Sequence, residues 1–397
     1  MNFVFISPNF PENYSAFVEG LKNVGFNVLG VGDAPYESLN ETLKRCLTEY
    51  YRCYNMDDFE QQCAAISYFE NKYGHIDYIE SNNEYWLRKD AALRARFNVT
   101  GLRPDYMDNI TNKEHMKKFF LEGGAKVARY HMVDNKENCL KFIKKVSYPV
   151  FVKPAVGVGA QKTFKIKNES DLDKFFAVKD HNTSYIMEEF ITGNLISFDG
   201  VCDSNGDVVF CDESHFMVPI DIVLNEQTDD YYYTSAFMDP EFEKIGRAVV
   251  KAFGIKKRFF HIEFFQLTVN KRGLGKKGDY IGLECNMRPP GGFTPDLINF
   301  ALSISCYQVW ADVMMFDESH QKMDYEKFVA VAASRRDHLN YVHSFDEVKQ
   351  VYVNNVCMSG RNPDALADAL GNDFFYAKFK TLEEAMKFAD FALKKKE

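Results

Sequence analysis

Two stretches in the second half of the chain decide the fold: His261-Ile-Glu-Phe-Phe-Gln-Leu-Thr-Val269 and Tyr280-Ile-Gly-Leu-Glu-Cys-Asn-Met287. Both are rich in aromatic and branched residues, and a polar, Gly-rich turn over 270–279 joins them, so they predict an antiparallel hairpin. Strand alternation puts His261, Glu263 and Phe265 on one face of the first strand. It likewise puts Glu284 and Asn286 on one face of the second. Pairing about Gly273 and Leu274 sets Glu263 opposite Glu284, whereas a slip of two residues sets it opposite Asn286. Either register gathers two carboxylates and an amide oxygen. Carboxylates so placed repel one another unless a cation lies between them. Oxygen donors without Cys suit Mg2+ bridging nucleotide phosphates, with Mn2+ as a substitute. Cys285 falls on the opposite strand face and reads as core.

Working outward, Arg288-Pro289-Pro290-Gly291-Gly292-Phe293 follows directly. An arginine held at a strand end by two prolines offers a rigid fork to a phosphoryl oxygen. Gly291 and Gly292 then let the backbone pass close to a ligand. Upstream, Tyr148-Pro-Val-Phe-Val-Lys-Pro-Ala-Val-Gly-Val-Gly-Ala-Gln-Lys-Thr-Phe-Lys-Ile166 predicts strands at 148–152 and 163–166 flanking a loop with Gly157 and Gly159. Glycines allow backbone N–H groups to approach phosphate oxygens. This is no P-loop, because Gln161 stands where the glycine before the lysine should be and a strand follows. It reads instead as a flap over a triphosphate, with Lys153 and Lys113 as point charges.

Lys113 opens a helix predicted from a capping box at Thr111-Asn112-Lys113-Glu114, and Gly123-Gly124 ends that helix. Tyr185-Ile-Met-Glu-Glu-Phe-Ile-Thr-Gly193 predicts a strand at 185–191. A strand edge with free N–H and C=O groups beside apolar side chains can read an adenine.

Residues 1–110 alternate short apolar strands with helical stretches, which predicts a parallel sheet. Ser7-Pro8-Asn9-Phe10-Pro11 follows the first strand where a dinucleotide fingerprint would need glycines, so such a site is disfavoured. Glu84, after Ser81-Asn82-Asn83, can face the site from this lobe. His215 and Tyr233, in the Tyr231-Tyr232-Tyr233 cluster, are weaker substrate candidates. Residues 297–316 read as helical, and capping boxes at Ser344/Glu347 and Thr381/Glu384 predict a small α+β tail.

The chain has 397 residues, 48 Lys+Arg against 57 Asp+Glu, and a formal net charge of −9, which argues against a nucleic-acid surface. Aromatic residues make up 15 %, a composition that demands a buried core and excludes disorder. The nine cysteines form no C-x-x-C pair and suit neither a disulfide nor a zinc framework. No apolar run reaches the ~18 residues that span a bilayer, and no basic leader precedes the strand at Phe3. A reduced, cytoplasmic protein without membrane or nucleic-acid partners is expected.

The order of these pieces resembles the ATP-grasp superfamily, and within it the carboxylate–amine ligases related to biotin carboxylase and D-alanine–D-alanine ligase. The resemblance covers roughly residues 1–315. It implies a Rossmann-like lobe at 1–110, an ATP-grasp domain at 111–315 and a small α+β subdomain at 316–397. It implies ATP and Mg2+ as cofactors: Lys113 and Lys153 on the phosphates, and the loop with Gly157 and Gly159 closing over them. Glu188, Glu189, Phe190 and Ile191 would take the adenine, and Glu263, Glu284 and Asn286 the metal. Arg288 would steady the transferred phosphoryl group. The family's acidic ribose-binding residue is replaced by Leu195, which leaves the ribose contact unassigned. The implied reaction joins a small-molecule carboxylate to an amine through an acyl phosphate, with amino acids or dipeptides as substrates. A carboxylase, an amino-sugar or nucleotide-intermediate synthetase, and an ATP-binding regulator are the alternatives; a homodimer is compatible with each.

Overall fold

The computed structural model describes residues 1–157, 163–218, 223, 227–235 and 237–396. Three sheets organise them. The first is parallel, in the order Glu49–Arg52, Asn27–Gly32, Asn2–Ile6, Tyr78–Glu80. Every residue of Asn2–Ile6 is buried, as expected of a strand covered on both faces. Phe3 and Phe5 point into one layer with Phe17 and Trp310, while Val4 and Ile6 point into the other with Ile66 and Phe69. Trp310 packs edge-on to Phe17 at 5.2 Å and to Phe3 at 5.6 Å.

Trp310 belongs to a helix, Cys306–Phe316, that the sequence merges with the one before it. Ser303 takes a left-handed conformation (φ 55°), which ends Thr294–Leu302, and the Ser305 hydroxyl caps the next helix by accepting from the Gln308 amide. The predicted continuous helix is therefore two helices, and the second covers the first sheet.

A small sheet, Tyr130–Met132, Tyr185–Glu189, Val150–Pro154 and Phe164–Ile166, forms a flap, with helices Lys136–Val146 and Glu169–Val178 packed on it. The large sheet has nine strands. In order they are Val356–Arg361, Asp373–Phe379, Val329–Arg335, Asp230–Ser235, Val208–Phe216, Gly193–Cys202, Arg258–Leu267, Tyr280–Asn286 and Lys126–Val127. Strands after residue 316 extend this sheet: Tyr232 pairs with Ala332, and Ala332 with Tyr376. Both tail capping boxes are present, at Ser344/Glu347 and Thr381/Glu384. The box expected at Thr111 is not. Thr111 donates to Met107 O at 2.8 Å, ending the helix before, and the Asn112 side chain caps Lys113–Glu122 by accepting from the Glu114 amide.

A buried ion cluster joins the first lobe to the large sheet. Arg258 grips Glu80 through both carboxylate oxygens (2.6 and 2.8 Å), and Arg94 reaches the same carboxylate at 3.0 Å. Arg258 also donates to Met287 O, one residue before Arg288. Burial pushes the Glu80 pKa up, but Arg258 and Arg94 outweigh it and hold the carboxyl below its usual range. Replacing Glu80 with Gln strands two buried guanidinium groups, and breaking such a pair costs about 3–5 kcal/mol. Chemical denaturation of Glu80→Gln should show a loss of that order; a loss below about 1 kcal/mol would mean the cluster does not hold the lobes together.

The helix Lys113–Glu122 rests on strand Tyr280–Asn286 because Gly282 has no side chain. A Cβ there would come within 2.2 Å of the Phe120 ring. Overpacking of this kind costs about 1–3 kcal/mol, so Gly282→Ala should lower the thermal midpoint and, by tilting this helix, weaken nucleotide binding as well.

Candidate functional site

Site residues come from the hairpin, the capped helix and the flap. Glu263 pairs with Glu284 and His261 with Asn286, the first of the two registers the sequence allows. A bulge after Glu263 moves the pairing on to Gly282 and leaves Leu283 without a partner. Cys285 is fully buried in the core behind. Glu263, Glu284 and Asn286 thus offer a facing set of hard oxygen donors, which fits a divalent cation such as Mg2+.

Positive charge converges on these carboxylates. Lys113 Nζ lies 3.4 Å from Glu284 and donates to Gly157 O at 2.9 Å, linking helix, flap and hairpin. The Lys113 amide also donates to Ala155 O. Gly157 has φ 138°, a conformation that a side chain would strain. Gly159 lies outside the described residues. Lys153 sits at the end of strand Val150–Pro154, its ammonium 2.7 Å from Glu188. Burial alone would lower the Lys153 pKa, but Glu188, Glu284 and Glu263 together raise it. Arg288 projects from the opposite side, with Nε 3.3 Å from Glu84, and its charge also reaches Glu263. Glu84, Arg288, Gly291 and Gly292 therefore gather at one edge of the site.

The free strand edge expected at 185–191 is not found. Strand Tyr185–Glu189 is interior to its sheet, because Tyr130–Met132 covers the edge expected to be free. Glu188 is buried between two ammonium groups, Lys153 and Lys117, the latter on the capped helix. Its side chain organises the lysines. Glu189 is likewise engaged, accepting from the Arg129 amide and guanidinium (2.7–3.0 Å) with Lys271 at 3.2 Å. The Glu189 amide donates to Arg129 O, and Phe190 O accepts from Lys271. Phe190 stacks on Phe151 at 5.6 Å. Ile191 follows, past the strand end.

His215 and Tyr233 do not join the site. Glu263, Ser197, Ser214 and Thr234 lie on one face along successive registers, which puts His215 and Tyr233 on the other. They stack on each other at 4.5 Å beside Glu213, in a separate cavity of about 400 Å3 with Asp239 and Tyr280.

Sequence reasoning missed a polar row behind Glu263. His261 Nε2 is 3.4 Å from Glu263, and Nδ1 is 2.5 Å from Asp199 on the next strand. Asp199 accepts from Ser197 at 2.6 Å and neighbours Asp212, where Thr234 donates at 3.0 Å. All are buried. Burial and the nearby Asp199 charge push the Asp212 carboxyl well above its usual range. Burial opposes protonation of His261, yet Asp199 and Glu263 raise its pKa to about 9. The signal was available in His261 and Asp199, polar residues within otherwise apolar strands.

A family model described as an ATP-grasp domain matches residues 146–289. The L-arginine-specific L-amino acid ligase of Bacillus subtilis is 24 % identical over 261 residues, covering 62 % of this chain and 59 % of that protein. A phosphoribosylamine–glycine ligase of Fusobacterium nucleatum is 27 % identical over 195 residues, 45 % of this chain and 44 % of that one. The chain thus spans about half the length of these curated relatives. Among solved structures, an L-amino acid ligase from Bacillus licheniformis superposes with a TM-score of 0.72 at 16 % identity, covering 98 % of this chain and 95 % of that one. The fold is the ATP-grasp fold. No helix among the described residues is long and apolar enough to cross a membrane.

Burial pushes the Glu188 pKa up, but Lys153 and Lys117 overcome it and bring it to about 2. Lys117 itself is lowered, since it is the more deeply buried and Lys153 repels it. A carboxyl with a depressed folded pKa stabilises the fold above its unfolded pKa of about 4.3 and loses that contribution as pH falls towards 2. Acid denaturation of the parent should therefore steepen between about pH 4 and pH 2. Glu188→Gln should be less stable at neutral pH and flatter across that window; an unchanged acid limb would rule out Glu188 as the holder of these lysines.

Proposed function

We propose that this ATP-grasp chain is an ATP-dependent carboxylate–amine ligase that activates a small-molecule acid as an acyl phosphate, with ATP and Mg2+ as cofactors and amino acids or dipeptides as substrates. The observation that carries this reading is the convergence of Lys113, Lys153 and Arg288 on the Glu263–Glu284 pair. Likeness to L-amino acid ligases supports the substrate class.

Glu263, Glu284 and Asn286 would hold Mg2+, which when bound neutralises phosphate charge. Lys113 and Lys153 bind the β- and γ-phosphates, with Lys153 kept charged and oriented by Glu188. The flap residues around Gly157 close over the triphosphate and exclude water. A carboxylate oxygen of the acid attacks the γ-phosphorus in line, the bond to the bridging oxygen breaks, and ADP leaves. Arg288 holds the carboxylate against the phosphoryl group and balances the charge of the acyl phosphate. An amine then attacks the acyl carbon, gives up a proton, and expels phosphate as the amide forms. Positioning and charge balance carry the rate, and no covalent Ser or Cys is required.

ADP and phosphate release with Mg·ATP against pooled L-amino acids, followed by mass spectrometry of the product, tests this reading. A product heavier by one condensed residue is expected, and Glu284→Ala should lower turnover at least a hundredfold. Turnover by that variant like the parent would remove the metal assignment; ATP binding without ADP formation over broad acid and amine pools would favour a regulator.

A further inference from the structure

Four buried polar side-chain atoms without hydrogen-bond partners lie in loops at the carboxyl end of the first sheet: Asn9 Oδ1, Asn13 Oδ1, Asn82 Nδ2 and Glu84 Oε2. Buried polar groups are almost always paired, so such a cluster marks where a partner belongs. Asn82 is only 2 % exposed. Local contacts hold three of them, on Asn13, Asn82 and Glu84, around Arg288. Tyr14 donates to Asn82 O at 2.6 Å, Asn13 Nδ2 donates to Gly292 O at 3.0 Å, and Arg288 Nε approaches Glu84 to 3.3 Å without a hydrogen bond to that oxygen. A Cβ on Gly291 would meet nothing within 4 Å, so open space adjoins this edge. Crevices at the carboxyl ends of parallel strands are where α/β sheets take ligands.

Charge selects the ligand. The loops after the four strands, 7–14, 33–40, 53–58 and 81–86, contain no Lys or Arg, but they hold Glu12, Asp33, Glu37, Asp57, Asp58 and Glu84. The cations that flank these loops are engaged: Lys89 with Asp57 at 2.5 Å, Arg88 with Asp108 at 2.9 Å and Arg52 with Asp33 O at 3.0 Å. Nothing in these loops would neutralise a phosphate. Beside Arg288 the unpaired atoms are two acceptors, Asn13 Oδ1 and Glu84 Oε2, and one donor, Asn82 Nδ2, which matches an ammonium next to a carboxylate. Glu84 and Arg288 lie side by side, as the two charges of an α-amino acid do.

We propose that Glu84 and Asn13 form an ammonium subsite, with Asn82 beside Arg288 on the carboxylate, for the acid that is activated, making that acid a phosphate-free α-amino acid. Its ammonium lies against Glu84 and Asn13 Oδ1, and its carboxylate faces Arg288 and Asn82 Nδ2. Held in this way, the ammonium stays protonated and cannot serve as the attacking amine. The bound amino acid therefore becomes the amino-terminal half of the product. This inference rests on the ligase reading above.

Hydroxylamine, which intercepts acyl phosphates as hydroxamates, lets the acid be tested without knowing the natural amine. With Mg·ATP and hydroxylamine, free L-amino acids should yield ADP and hydroxamate. Their N-acetyl and desamino counterparts should show KM values at least tenfold higher. Glu84→Gln and Asn13→Leu, checked for an unchanged thermal midpoint, should raise the amino-acid KM at least tenfold. The ratio of the desamino-acid KM to the amino-acid KM should fall at least tenfold, so the preference for the ammonium collapses. A general loss of structure would move both acids alike. Equal use of acids with and without the ammonium, a preference that survives both substitutions, or hydroxamate formed only from phosphate-bearing acids would overturn the subsite while leaving the ligase reading intact. ADP formation from no acid of any class would overturn the ligase reading, and the subsite with it.

Discussion

The salt-bridged carboxylate of Glu80 is the constraint on which the site depends. Glu80 ends a strand of the first sheet, and Arg258 begins the strand that carries His261 and Glu263. A bidentate pair fixes both distance and angle, because the guanidinium fork and the carboxylate are planar. With Arg258 also bound to Met287 O, one side chain sets the first lobe, the hairpin of Glu263 and Glu284, and the root of Arg288 relative to one another. The loop from Ser81 to Glu84 follows Glu80 directly, so its approach to Arg288 follows from that single contact. Trp310 and its aromatic neighbours supply apolar burial at the same junction, but apolar burial is non-directional and could not select the angle.

A second charge centre plays the same part on the nucleotide side. Glu188 between Lys153 and Lys117 joins flap and capped helix, as Lys113 does through Gly157 O. Three lysines in so small a volume would repel one another. Buried carboxylates at Glu188 and Glu284 offset that repulsion, and at Lys153 they outweigh burial and raise the ammonium pKa. The net charge of −9 is then no obstacle to phosphate binding, since the positive charge is local and held in place by acids.

The hairpin and the face shared by Glu263, Glu284 and Asn286 were legible in the sequence because strand alternation is a short-range pattern, whereas the choice between its two registers was not. Lys113, Lys153 and Gly157 were legible for a similar reason, each next to a local break in pattern. Other features depended on which strands become neighbours, and this is not a local property. The edge expected at 185–191 is covered by Tyr130–Met132, a strand too short to show any periodicity. His215 and Tyr233 have site-like chemistry but the wrong strand parity, which only the pairing of 208–216 with 193–202 determines. The cap moved from Thr111 to Asn112 because a preceding helix, Met107–Thr111, claims the threonine hydroxyl. Lys117 sits one turn after Lys113 and therefore shares its face, a periodicity that the sequence displayed and that only its buried partner Glu188 makes meaningful.

The polar row behind Glu263 follows from the sheet's own geometry. Asp199 pairs with His261 and with Asp212, so three ionisable groups stand side by side on neighbouring strands, with Asn286 completing the row on the far side. Their spacing is that of strands in a sheet, close enough for direct hydrogen bonds and too close for three independent charges. Close packing of these groups drives His261 towards the cation and Asp212 towards the neutral acid. A fixed imidazolium beside Glu263 then holds the carboxylate in one orientation without a flexible side chain. The same logic governs Glu80 and Glu188, each held by two cations. In this fold, the acidic groups that face the crevice are aimed by buried partners one layer behind them.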